Sequence, residues 1–323
     1  MKIHIIGAGS LGLLFGGRLA ASGADVTFWC RTNEQVEQLR LKGITVTKDH
    51  KSIHISPGFF RAEPMSKYHE LGGAGEEDCI FLMVKQTVLN SVIKELFAPY
   101  SLRHLKLLCF QNGTGHIEQL REHLPAWTLY AAVTTEGAKR SGLAEVIHAG
   151  DGSTWIGQAG DDVSNKKADI IKGSELEKEL TAQLEIAGFE VFLSKELDTM
   201  IYRKLLMNAV INPLTALWRI TNGELLESEK RISLMRELYE EGIAVYEACN
   251  IPWEKNLWDQ ILQVCQSTSG NTSSMLKDVL DGRKTEVSSI NGSIVRMAER
   301  IGGSAPTHRL IWRLIEGIHV KEA

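Results

Sequence analysis

Lys204, Asn208 and Asn212 recur at intervals of four in the segment Arg203-Lys-Leu-Leu-Met-Asn-Ala-Val-Ile-Asn-Pro213, inside an apolar run from about Leu197 to Trp218. On a helix, i, i+4, i+8 spacing puts them on one narrow stripe. An ammonium can protonate a polar substrate there, and the two amides can hydrogen-bond one without adding charge. Leu205, Leu206, Met207, Ala209, Val210, Ile211 and Leu214 fill the other positions, so no broad charged face is left for water. Asparagine is a poor mid-helix residue, which suggests that something other than helix stability selected it twice. Spacing leaves a second reading open, a partly buried helix whose Lys snorkels to solvent while each Asn satisfies nearby backbone. Pro213 cannot donate to the carbonyl of Ala209, and this predicts a kink just beyond Asn212.

Other residues of the same half bear on proton chemistry. Asn271-Thr-Ser-Ser274 precedes the apolar run Met275 to Leu280, so Ser273 or Ser274 is an N-cap or first-turn residue. Glu286 opens the next helix, where a carboxylate is favoured by the helix dipole alone. No histidine occurs between His148 and His308. Lys204 and Glu286 are then the natural proton-handling candidates of this half.

The N-terminal half carries a different constellation. Lys2 to Ile6 is an apolar strand pattern that enters Gly7-Ala8-Gly9-Ser10-Leu11-Gly12, followed by a helical pattern to Ser22. Glycines permit a tight turn and close approach of a pyrophosphate, and the helix N-terminus offers N–H donors and positive potential. With strand before, helix after and a second strand at Asp25 to Trp29, this predicts a dinucleotide-binding βαβ unit. That second strand ends in Phe28-Trp-Cys-Arg31 with no acid before Glu34. A guanidinium there accommodates a 2′-phosphate, so Arg31 points to NADPH rather than NADH. Two more apolar strands end in Lys85-Gln86 and in Gln111-Asn112-Gly-Thr-Gly115, at the strand ends where doubly wound sheets bind ligands.

Strand patterns at Gly43 to Thr47 and Ser52 to Ile55 precede a Gly-, Pro- and charge-rich stretch, Pro57 to Asp78, expected to be loop with one short helix. From Leu129 the pattern suggests antiparallel strands at Leu129 to Thr135, Leu143 to His148, Thr154 to Ile156 and Glu190 to Leu193. The interval 160–173 is expected to be a loop and Ser174 to Ala187 a helix. After Ser194 only helices are expected, broken at Asn222-Gly223, Asn250-Ile-Pro252, Thr268 to Asn271, Gly282 and Gly302 to Pro306. The fold class is therefore α/β, a Rossmann-type doubly wound sheet over residues 1–195 followed by an all-helical domain over 196–323.

With 323 residues, 43% hydrophobic and 24% charged, the chain has room for two globular cores. A formal charge of −4 gives no nucleic-acid footprint, and no stretch is long and apolar enough for a membrane span. Five dispersed cysteines without a C-x-x-C pair suggest reduced thiols in a cytoplasmic protein, and no residues show metal-ligand spacing. Glycines interrupt the apolar N-terminus, against a signal peptide.

Taken together, Gly7 to Gly12, Gln111-Asn-Gly-Thr-Gly115, Lys204 to Ala216 with Asn222-Gly-Glu-Leu, and Ser273-Ser-Met-Leu with Arg-Lys-Thr-Glu286 and Ile-Asn-Gly resemble the ketopantoate reductase (2-dehydropantoate 2-reductase) family over nearly the whole length. The resemblance implies NADPH-dependent reduction of 2-dehydropantoate to pantoate in coenzyme A precursor synthesis, with a homodimer as a compatible assembly. It assigns catalysis to Lys204 and substrate binding to Asn112, Asn208, Asn212, Asn222, Ser274 and Glu286. It assigns cofactor contacts to Gly7, Ala8, Gly9, Ser10, Leu11, Gly12, Arg31, Lys85, Asn112, Ala138 and Glu286. One departure is visible: the family often has Gln three residues after the strand-end Lys, where this chain has Val88, with Gln86 beside Lys85. In the implied reaction Lys204 protonates the developing alkoxide, and Glu286 faces the substrate's distal hydroxyl rather than its carboxylate. The alternatives are a related NADPH-dependent reductase of another 2-oxo or hydroxy acid, and a non-catalytic NADPH sensor. A sensor would not need Lys204 and Glu286 together.

Overall fold

A computed structural model describes residues 1–159 and 175–318; the loop expected over 160–173 lies outside the described residues. The chain divides into two compact units, Met1–Gln111 with His116–Leu197, and Asn112–Gly115 with Asp198–Ala323. The tetrapeptide Asn112–Gly115 thus groups with the helical half although it follows a strand of the sheet.

In the first unit the chain runs β1 (Lys2–Ile6), α1 (Ser10–Ala21), β2 (Asp25–Cys30), α2 (Asn33–Lys42), β3 (Ile44–Lys48), β4 (Lys51–Ile55), β5 (Phe60–Pro64) and β6 (Cys79–Leu82). It continues with α3 (Leu89–Val92), β7 (Lys106–Cys109), α4 (His116–His123), β8 (Thr128–Thr134), β9 (Gly137–Arg140), β10 (Glu145–Gly150), β11 (Ser153–Gln158), α5 (Glu175–Ile186) and β12 (Glu190–Leu193). Eight strands form one sheet in the order β12-β11-β8-β7-β6-β1-β2-β5. Every pair in it is parallel except β8 with β11. Ile3, Ile5, Phe81 and Leu107 are fully buried, as continuous apolar strands covered on both faces require. β1 lies between β2 and β6, so the strand order reverses beside it, and ligands bind at such switch points.

Two expectations need correction. The stretch expected to be loop contains β5, which pairs parallel with β2 at the sheet edge. Phe60, Ala62 and Pro64 are buried while Arg61 is exposed and Glu63 half-buried, a period-two pattern hidden by the flanking Pro and Gly; an edge position tolerates Pro64. The strands after Leu129 are also not one antiparallel group. β8 and β11 join the main sheet, whereas β9 and β10 complete a second sheet of order β4-β3-β10-β9. Local pattern identifies a strand but not its partner.

The regular structure of the second unit is helical, with no strand among its described residues. It comprises α6 (Leu197–Trp218), a 3₁₀ turn at Gly223–Glu227, α7 (Glu229–Ala248), α8 (Leu257–Ser267), α9 (Ser274–Leu280), α10 (Val287–Arg300) and α11 (Pro306–Glu316). Leu206, Val210 and Leu214 of α6 are fully buried and share a core with Leu238, Tyr246, Ile261, Ile294 and Ile315. Each such aliphatic side chain contributes about 1.5–3 kcal/mol by leaving water. α6 passes through Pro213 without a break. Among the described residues no helix is long and apolar enough to cross a membrane.

Candidate active site

In the first unit, Gly7 ends β1 with φ 103°, and a Cβ on it would meet the Val84 side chain at 2.7 Å. A Cβ on Gly12 would stand 2.1 Å from the Gly7 carbonyl, and one on Gly16 2.4 Å from the Phe28 ring. Glycine is therefore required for the turn and for packing α1 on the sheet. Gly9 differs: a Cβ there meets nothing within 4 Å. Gly9 is also the N-cap of α1 and has no side chain with which to cap the helix's first N–H groups. Open space over an uncapped N-terminus fits a dinucleotide pyrophosphate.

Surrounding contacts hold this loop. Gln35 Nε2 donates to the carbonyls of Ala8 (2.7 Å) and Leu143 (2.8 Å), and the Arg140 N–H donates to Ser10 Oγ at 3.1 Å. Leu11 is half-buried on the first turn of α1, and Ala138 lies on β9, two residues from Arg140. Arg31 is exposed just past β2, and half-buried Lys85 follows β6, beside Gln86, whose Nε2 is 3.2 Å from His116 Nδ1. The Gln111 amide donates to the carbonyls of Leu82 and Val84, both at 2.9 Å, and so ties down the strand end before Lys85.

The second unit gathers the remaining candidates. Lys204 and Asn208 are half-buried on α6 and Asn212 is buried on the same helix. Burial around its ammonium lowers the Lys204 pKa to about 8, partly offset by the Glu286 carboxylate. Buried Glu286 is the N-cap of α10, and its Oε2 accepts from Asn112 Nδ2 at 3.5 Å. Glu286 thus acts on Lys204 through its charge and on Asn112 through a hydrogen bond.

Asn222 and Ser274 are held by backbone ties. The Asn222 N–H donates to the Asn271 carbonyl and the Gly223 N–H to that of Ser269, both at 3.0 Å. Asn222 Nδ2 donates to Thr268 Oγ1 at 2.9 Å, while its buried Oδ1 has no hydrogen-bond partner among the described residues. Ser273, not Ser274, is the cap of α9: its Oγ accepts from the Leu276 N–H at 3.1 Å and lies 2.7 Å from Thr215 Oγ1. Ser274 is exposed on the first turn. Sequence reasoning missed Gln35, Thr215 and Thr268, which orient these groups from distant positions and carry no local signal.

Among the described residues Glu136, His148 and Asp151 place one potential ligand atom each within 4.8 Å of one another. Lys48 Nζ already stands 2.6 Å from Asp151 and His148 Nε2 2.5 Å from Glu136, so internal partners meet this charge. All five cysteines are free, and all but half-buried Cys249 are buried.

A Rossmann-type sheet with an open glycine loop, joined in one chain to a helical unit bearing a lysine of depressed pKa beside a glutamate, defines a two-domain protein of the dinucleotide-binding class. Residues 3–161 match the family model described as ketopantoate reductase PanE/ApbA, and residues 196–319 match that of its C-terminal domain. The chain belongs to the ketopantoate reductase family. It is 30% identical to a 2-dehydropantoate 2-reductase of Archaeoglobus fulgidus over 98% of this chain and 97% of the relative. It is 31% identical to that of Bacillus subtilis over 94% and 92% of the two chains. A crystal structure of a PanE/ApbA family ketopantoate reductase from Ralstonia eutropha superposes with TM-score 0.85 at 25% identity, covering 99% of this chain and 98% of that one.

Proposed function

We propose that this protein is a 2-dehydropantoate 2-reductase, reducing the ketone of 2-dehydropantoate to the alcohol of pantoate with NADPH, a step of coenzyme A precursor synthesis in the cytoplasm. The single observation that carries the reading is Lys204, an ammonium with its pKa lowered to about 8 beside Glu286. When bound, NADPH supplies the hydride that adds to the ketone carbon. As the carbonyl electron pair moves to oxygen, Lys204 donates a hydrogen bond to that oxygen and then its proton. A pKa near 8 leaves Lys204 mostly protonated at neutral pH yet able to release the proton, which an arginine could not do.

In this reading residues 1–195 hold NADPH through Gly7 to Gly12, Arg31, Lys85 and Ala138, and residues 196–323 hold the substrate. Asn208, Asn212, Asn222 and Ser274 offer neutral donors to its carboxylate and hydroxyls. Glu286 accepts from the distal hydroxyl, because a second carboxylate facing the substrate's own would repel it. The test follows NADPH absorbance with 2-dehydropantoate beside a panel of other 2-oxo acids. A kcat/KM at least about tenfold, or 1.4 kcal/mol, higher for 2-dehydropantoate supports the assignment, and preference for another acid replaces it.

A further inference from the structure

Pro213 leaves the Ala209 carbonyl, in the middle of α6, without its helical donor. That carbonyl is buried in the helical core, where an unsatisfied acceptor is costly. Asn291 of α10, fully buried, donates to it through Nδ2 at 2.9 Å. The same Nδ2 lies 3.1 Å from Nδ1 of His308, fully buried on α11, whose Nε2 is 3.0 Å from the Leu238 carbonyl of α7. A carbonyl can only accept, so Nε2 carries the His308 proton and Nδ1 is an acceptor. The Asn291 amide then spends one N–H on Ala209 and the other on His308. Burial lowers the His308 pKa to about 4, so the imidazole stays neutral at working pH, although Glu241 opposes this. Glu241 also accepts the backbone N–H groups of Thr307 (2.9 Å) and His308 (2.8 Å), which fixes the start of α11.

We propose that Asn291, oriented by His308, is a positioning residue that replaces the hydrogen bond Pro213 removes and so sets the course of α6 between Asn208 and Asn212. Ala209 lies between the halves of the Lys204–Asn208–Asn212 stripe. A helix left to relieve an empty carbonyl there would move those side chains relative to each other. Misplacement of about 1 Å can cost on the order of a hundredfold in rate. The consequence for turnover rests on the proton-donor role of Lys204 proposed above; the backbone role does not.

The test is a double-mutant cycle of Asn291→Leu with Pro213→Ala, because alanine restores an N–H able to reach the Ala209 carbonyl. In the native background Asn291→Leu should lower kcat on the order of tenfold to a hundredfold, leave NADPH affinity within about twofold, and lower the melting temperature. It should also raise the Lys204 pKa from about 8, read by NMR of ¹³C-labelled lysine with Lys204→Arg for assignment. In the Pro213→Ala background each of these losses should shrink severalfold. Equal losses in both backgrounds, or full activity of Asn291→Leu, would overturn the proposal. If Asn291→Leu does not fold, His308→Leu should show the same losses and His308→Asn, whose Oδ1 can stand in for Nδ1, should recover most of them; equal behaviour of the two would overturn it. If Lys204→Ala keeps its turnover, the site reading fails, yet the melting temperatures of the cycle still decide the backbone role.

Discussion

Glu286 Oε2 accepts from Asn112 Nδ2 at 3.5 Å, and the same carboxylate is the charge that holds the Lys204 pKa up against burial. Replacing Glu286 by Gln keeps the shape and removes the charge. Lys204 should then lose its proton more readily, its pKa falling below about 8. Proton donation requires the ammonium, so the basic limb of the kcat/KM profile should move to lower pH in Glu286→Gln. A basic limb in the same place would separate Glu286 from Lys204. Lys204→Ala should lose about 10²–10⁴ in kcat while NADPH binding persists.

Arg31 is exposed beyond β2, and no acid stands between that strand and Glu34 to accept a ribose 2′-hydroxyl. Arg31→Ala should raise KM for NADPH about tenfold to a hundredfold, the equivalent of one charge-assisted contact, and change that for NADH little. Steady-state kinetics with both cofactors check this, and an unchanged preference would remove the phosphate role.

Gly9 and Gly12 belong to one motif but should fail differently. The Gly12 Cβ would meet backbone at 2.1 Å, so Gly12→Ala should lower the melting temperature and NADPH affinity together. The Gly9 Cβ meets no protein atom, so Gly9→Ala should melt within about 2 °C of the native protein, its cost being the few tenths of a kcal/mol of an ordinary surface change. Its NADPH affinity should nonetheless fall tenfold or more, about 1.4 kcal/mol, because the methyl occupies the space a pyrophosphate needs. Calorimetry and fluorescence titration together would show whether that space is the phosphate site.

The glycine turn and the α6 stripe were legible because each is a local rule. Gly7 and Gly12 answer to backbone sterics within one turn, and Lys204, Asn208 and Asn212 to helical period. The helix breaks after α6 were legible in the same way, from Gly, Pro and Asn. Contacts that close over long separations were not. Asn112 reaches Glu286 across 174 positions, and no periodicity announces that pairing. Ser273 and Ser274 both suited the cap of α9, and Thr215, 58 positions away, lies against the one that caps. Pro213 announced a missing hydrogen bond, but its replacement comes from a side chain 82 positions from Ala209. β5 was hidden for a different reason, since an edge strand needs only one buried face and sits among the Pro and Gly that mark loops.

His116 and His308, at 4% and 0% exposure, both have pKa values lowered to about 4 by burial, against an ordinary value of 6.5. The folded protein therefore keeps both imidazoles neutral in a range where the unfolded chain protonates them. Between about pH 6.5 and pH 4 the unfolded state binds more protons, so stability is fully present above that window and is lost as pH falls through it. Each histidine accounts for on the order of 3 kcal/mol across the window, at 1.36 kcal/mol per unit. Most carboxylates titrate at its lower edge, so the melting temperature should begin to fall before acid reaches them. His4 adds in the same direction, because burial lowers its pKa as well, although Asp78 opposes this. His308→Asn removes one titrating group and should flatten the decline by the share of one proton, whatever its effect at pH 7. Melting temperatures of both proteins, measured at intervals from pH 7 to pH 4, check this; parallel curves would mean that His308 takes up its proton as readily in the folded state as in the unfolded chain.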